Sequence, residues 1–258
     1  VYFIPDYGIP RRESDVTPYL SDVITVEGKI DKEYLVSKGV DSGKIKIRGS
    51  PKYESIIRKT LHPLNQLKDH FTNKIQKISP EKRKIVLATN IFMNESNRIV
   101  VTKVVNAVKN LKDIQFIVKL HPSQSGKFIR KVLKDLNYDT IIVKNVDINE
   151  IIKTADIFLT QESSVILNSM VVGTPLICLE FLNKRVYFST KHVYNDDKYI
   201  IRVHDEDQLY YHLNELLSSQ KKLDDYKNSI KKNLKDILFH ERNYSPSNQI
   251  MLDLKEFL

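Results

Sequence analysis

Cysteine is almost missing from this 258-residue chain, and glycine is scarce at seven. The one cysteine, Cys178, excludes a disulfide and a Cys-rich metal site; within the strand-like run LICLE it reads as a small buried hydrophobe. With so few glycines there is no Gly-x-Gly-x-x-Gly and no P-loop, so the usual dinucleotide and nucleoside-triphosphate cradles are absent. No apolar run approaches the ~18 residues a membrane span needs. The N-terminus does not read as a signal peptide, because Asp6, Arg11, Arg12, Glu13 and Asp15 interrupt it, and a cytoplasmic location is expected. The seven histidines lack metal-ligand spacing. Asp196-Asp197 and Asp205-Glu206-Asp207 are acidic clusters, the second explained by a helix start.

At 41% hydrophobic and 28% charged, the composition is that of a globular protein of one or two domains. Its net charge of +9 suits anionic partners, including an anionic membrane surface reached through lysines. A lysine-rich background explains the charge equally well. Nucleic acid is not expected as a partner, since recognition-helix, aromatic-basic and zinc patterns are all lacking.

The chain is organised around Asp156 to Glu180. Ile157, Phe158 and Leu159 form a short buried strand; Ser163 or Ser164 offers an N-cap; Val165 to Val171 has helical spacing; Gly173 and Pro175 stop the helix; and Leu176 to Leu179 is the next strand. The Gln-Glu-Ser-Ser turn therefore lies at a strand's carboxyl end and a helix's amino end, where open α/β sheets bind ligands and where an anion is favoured.

Similar units repeat on both sides. Strands are expected at Ile85–Ala88, Gln115–Leu120, Thr140–Val143 and Tyr199–Val203, with helices at Arg98–Leu111, Phe128–Leu136, Ile148–Thr154 and Asp207–Leu217, and a long amphipathic helix following through Leu223 to Ile237. This alternation predicts an α/β fold with a doubly wound parallel sheet, Rossmann-like, over 81–235. Residues 1–60 hold two or three short strands and one helix, the remnant of a preceding α/β domain. A linker helix is expected over 61–80 and a helical tail over 236–258. Because the sequence opens at Val1 in a strand-like VYFI, we expect an upstream part.

Three other turns leave the same sheet edge. His121-Pro122 follows QFIVKL, and an imidazole there can donate to a phosphate oxygen; capping of the strand is the competing reading. Thr89-Asn90 follows the first strand of the sheet, where a plain loop competes. Asn145 to Asp147 follows the third, able to offer backbone groups to a nucleobase or simply to cap the helix at Ile148.

The strings VKLHP and DINEIIKTADIFLTQESSVILNSMVVGTPLI resemble the C-terminal domain of GT-B glycosyltransferases. The resemblance is to the group pairing His-Pro with Ser-Ser: sialyl- and polysialyltransferases, capsule polysaccharide transferases and CDP-glycerol transferases. SDVITVEGKIDKEYLVSKGVDSGKIKIRGSPKYES resembles the close of a GT-B N-terminal domain. The resemblance implies that His121, Ser163 and Ser164 contact donor phosphates and that Glu180 holds a ribose, an ion pair with Lys184 or Arg185 being the alternative for Glu180. It also implies a nucleotide-activated donor of CMP/CDP or UDP type, no separate cofactor, and a glycan or lipid-linked acceptor. Asn168 stands where retaining members carry a Glu, which points to inversion, and Asp6 in Asp6-Tyr7-Gly8 matches the sialyltransferase-like base at two of three places. Two rival readings stay open. One is a UDP-N-acetylglucosamine 2-epimerase, whose Ser-Gly-Gly and paired glutamates are here Ser-Ser and Val165-Ile166; the other is a non-catalytic nucleotide-sugar-binding module.

Overall fold

A computed structural model describes residues 2–4, 20–61, 78–90, 94–161, 163–182, 200–241 and 244–257. Asp6, Lys184, Arg185 and most of the expected linker, 62–77, lie outside the described residues.

Two parallel sheets are present. The smaller contains β1 (Tyr2–Phe3), β2 (Val23–Val26) and β3 (Ile45–Ile47) in the order β1-β2-β3, with α1 (Lys29–Ser37) crossing between β2 and β3. The larger contains β4 (Arg83–Ala88), β5 (Ile114–Lys119), β6 (Ile141–Val143), β7 (Ile157–Thr160), β8 (Leu176–Leu179) and β9 (Ile201–Val203). Its order is β6-β5-β4-β7-β8-β9, all parallel, so the chain winds outward from β4 in one direction and then from β7 in the other. The expected doubly wound, Rossmann-like sheet is the sheet observed, and its winding reverses between β4 and β7.

Strand alternation sends side chains to two cores. Val86, Ile117, Phe158, Leu176 and Cys178 pack with α5 (Ile148–Thr154), α6 (Val165–Val172) and α8 (Gln220–Ile237), and with Tyr53, Ile56 and Ile57 of α2 (Pro51–Leu61). Ile85, Leu87, Val118, Leu159 and Ile177 face α3 (Asn94–Val108), α4 (Lys127–Asp135) and α7 (Glu206–Leu217). Cys178 is buried, as its setting in LICLE implied.

Three local features differ from the sequence reading. Helix α2 is a second helix in the N-terminal segment, where one was expected; Pro51 at its first position suits a helix start. The long helix expected to run on from α7 is a separate element, because Ser219 takes an extended conformation and its hydroxyl accepts from Lys222 N at 3.2 Å, starting α8 afresh. The C-terminal segment is not a free tail: α9 (Pro246–Phe257) returns to the small sheet, where Asp253 meets Tyr2, Lys46 and Arg48. Among the described residues no helix is long and apolar enough to cross a membrane.

Candidate nucleotide-binding edge

The carboxyl ends of β4 and β7 flank the reversal of winding. There the crossover helices leave to opposite faces, the position at which open α/β sheets bind ligands. From β4 comes Thr89-Asn90, from β7 comes Gln161 to Ser164, and next to β4 on its other side β5 delivers His121-Pro122. The sheet thus carries the imidazole and the two serines along one edge, on strands two spacings apart, roughly 10 Å. Asn145 follows β6, one strand further out, and is exposed.

His121 is held by the turn it opens. Pro122 sits at the second position of a β-turn closed by Gln124 N donating to His121 O at 3.0 Å. Within it Ser123 N donates to His121 Nδ1 at 3.3 Å, and Ser123 Oγ lies 2.6 Å from the same nitrogen. Gln124 is the buckle between strands. Its Oε1 accepts from His121 N at 3.0 Å and from Thr89 Oγ1, and its Nε2 donates to Asn90 O at 2.8 Å. Thr89 is buried and its hydroxyl also accepts from His121 N at 3.3 Å, so it fastens the His-Pro turn to β4. Asn90 O takes a second bond from Asn97 Nδ2 at 3.1 Å. By contrast, Asn90 Nδ2 and the hydroxyl of wholly buried Thr160 have no partner among the described residues. Buried polar atoms are rarely left so; one lies just after β4 and the other at the end of β7, the two strands between which the winding reverses.

Lys119, the last residue of β5, is 4% exposed, and its ammonium donates to Leu120 O at 2.8 Å and Lys144 O at 2.9 Å. Burial lowers its pKa, opposed by the Asp147 carboxylate. Burial, and then the Lys119 charge, push the His121 imidazole below the ordinary histidine range.

On β7's side, Ser164 occupies the N-cap position of α6 in a helical conformation, and its hydroxyl makes no capping bond. The expectation that one of these hydroxyls caps the helix is therefore corrected. Ile166 N turns back to Ser163 O at 3.1 Å instead, and neither hydroxyl is engaged by another described residue. Both serines are half-buried. Gly173 (φ 78°) ends α6 as expected.

The remaining assignments fall differently. Glu180, just after β8, forms an ion pair with Arg202 Nη1 of β9, and His204 Nδ1 lies 3.4 Å from its other oxygen. Asp147 caps α5 by accepting from Asn149 N at 2.9 Å, the structural option for that turn. Asn168 donates to Asn149 Oδ1 at 2.8 Å and ties α6 to α5. Asp205 caps α7 through Gln208 N at 2.8 Å, as its place at a helix start implied. Among the described residues no group of three or more His, Cys, Asp or Glu is gathered as a metal site requires.

Sequence reasoning missed Ser123, Gln124 and Lys119. A polar residue three places after a His-Pro is a weak signal, whereas a lysine inside the otherwise apolar QFIVKL was a usable one.

No family model matches the sequence, and no curated protein matches it. Solved structures do. The UDP-N-acetylglucosamine 2-epimerase of Neisseria meningitidis, bound to UDP-GlcNAc, has a TM-score of 0.67 at 12% identity, over 98% of this chain and 69% of that one. A protein from Listeria monocytogenes described as such an epimerase has 0.65 at 13%, over 94% and 60%. The wall teichoic acid polymerase TagF has 0.59 at 16%, over 98% and 66%. At these identities the likeness is one of fold, and that fold is the Rossmann-like GT-B architecture shared by nucleotide-sugar epimerases and glycosyltransferases. The chain spans 60% to 69% of the length of these three proteins.

Proposed function

We propose that this chain is the nucleotide-binding part of an inverting glycosyltransferase or polyol-phosphate transferase that works without a metal ion on a nucleotide-activated donor. Its product is a surface polysaccharide or a glycolipid. The observation that carries the reading is the shared edge at the reversal of winding, where two serine hydroxyls at the start of α6, without a partner among the described residues, and the His121 imidazole leave turns on either side of β4. Departure of the nucleotide leaves negative charge on phosphate, and hydroxyl, imidazole and helix amides are the groups that stabilise it there. In this reading His121, Ser163 and Ser164 meet the phosphates, Asn145 lies toward the base, Glu180 lies near the ribose, and Asp6 deprotonates the acceptor hydroxyl.

Thermal melts of the chain with CMP, CDP, UDP and GDP test the site. A nucleotide at a hundred times its dissociation constant adds about 2.7 kcal/mol, a rise of several degrees. His121→Ala and Ser164→Ala should each abolish that rise while leaving the unliganded melt close to wild type. Preserved shifts in both variants would refute the assignment.

A second reading is favoured by the likeness to 2-epimerases. Incubation of the complete protein with a nucleotide sugar and no acceptor separates the two. Epimerised nucleotide sugar supports the epimerase; transfer that appears only with an acceptor supports the transferase.

A further inference from the structure

The bonds around His121 determine which of its nitrogens carries the proton. A backbone N–H can only donate, and that of Ser123 points to Nδ1 at 3.3 Å. Nδ1 must therefore offer a lone pair, which leaves the proton of the neutral ring on Nε2. The Ser123 hydroxyl, 2.6 Å from Nδ1, then donates to it as well. Pro122 makes this arrangement persistent by fixing the turn that brings Ser123 N back over the ring. Protonating Nδ1 would turn that backbone donor against another donor.

Lys119 works in the same direction. Its ammonium is anchored on the carbonyls of Leu120 and Lys144, at 2.8 and 2.9 Å, so it cannot swing into water. Held two residues before His121, it repels a second positive charge. The only opposing carboxylate acting on Lys119 among the described residues is Asp147, and that group is already bonded to the first amides of α5.

We infer that Ser123 and Lys119 are positioning residues that fix His121 as a neutral imidazole protonated on Nε2, presenting a hydrogen-bond donor and not a cation at the sheet edge. That the acceptor of this bond is a phosphate oxygen rests on the function proposed above; the state of the ring does not. A neutral donor stabilises developing charge without forming a permanent ion pair with the departing nucleotide, which favours product release.

The test is nitrogen-15 NMR of the ring nitrogens in the ligand-free chain, with the His121 signals assigned through their absence in His121→Ala. At pH 7 Nδ1 should be unprotonated and Nε2 protonated. Ser123→Ala, at an exposed position, removes the hydroxyl and keeps the backbone N–H, so it should weaken the preference for the Nε2-protonated tautomer without reversing it. Lys119→Met should raise the His121 titration midpoint. Should Lys119→Met fail to fold because two carbonyls lose their donor, the tautomer of the unsubstituted chain at pH 7 decides. A ring protonated on Nδ1 or on both nitrogens at pH 7 overturns the inference. Loss of nucleotide binding with the tautomer intact would instead overturn the proposed function and leave this inference standing.

Discussion

Arg202 and Glu180 meet across adjacent strands with 7% and 11% of their side chains exposed, a charge pair largely removed from water. Desolvation of both charges makes the intact pair a modest net gain, whereas deleting one partner removes the largest compensation for the other's burial. We expect Arg202→Met to cost about 3 kcal/mol in urea unfolding. The double change Arg202→Met with Glu180→Gln should recover much of that loss, since no uncompensated charge then remains. Equal losses in the single and double variants would show that packing of the guanidinium dominates. Nothing local in the sequence announced this pair. Glu180 has Lys184 and Arg185 as near neighbours in the chain, and only the β8-β9 register places Arg202 opposite Cys178, beside it. Lys119 and Thr89 show the same limit, because their bonds join strands distant in sequence.

Elements were legible where their signals are local. The spacing of Val165 to Val171 and the stop at Gly173 located α6, and the apolar runs located the strands of the large sheet, because burial on both faces leaves little choice of residue. The order of those strands was not legible, since the hydrophobic pattern of a parallel strand does not name its neighbour. Gly28 makes the contrast with Gly173 plain. Its backbone is extended, so no left-handed conformation demands glycine, and it reads as an ordinary turn after VITVE. In the folded chain a Cβ there would lie 2.1 Å from Ile237 O, at the end of α8. The same crossing brings Phe239 N to Glu27 O at 2.7 Å. Gly28→Ala should therefore push the end of α8 away from the small sheet and cost about 2 kcal/mol. Hydrogen exchange would show the loss concentrated at residues 234–239, and uniform protection there would refute the close approach.

The two sheets belong to one molecule partly because the chain comes back. After α8 passes Gly28, α9 lies against the small sheet, and Asp253, 3% exposed on its side chain, accepts from Arg48 Nε at 2.6 Å and Nη2 at 3.0 Å, Lys46 Nζ at 3.2 Å and Tyr2 OH at 3.1 Å. At the other end of α9, Ser247 Oγ donates to Glu54 of α2 at 2.6 Å. The bonds from Arg48 above all hold the Asp253 carboxyl down to about 2, against an ordinary value near 3.8. A carboxylate whose pKa falls on folding stabilises the fold fully above its unfolded value, and the contribution fades as pH drops toward the folded value. The window is therefore roughly pH 4 to 2, and the amount is about 2 kcal/mol. Asp253→Asn should reduce urea stability by at least that much at pH 7, with the gap to wild type constant down to about pH 4 and narrowing below it. A gap unchanged at pH 2.5 would mean that the asparagine variant fails through packing and not through charge. A gap that closes would identify the carboxylate as the electrostatic clasp by which the last helix holds the first strands in place beside the larger sheet.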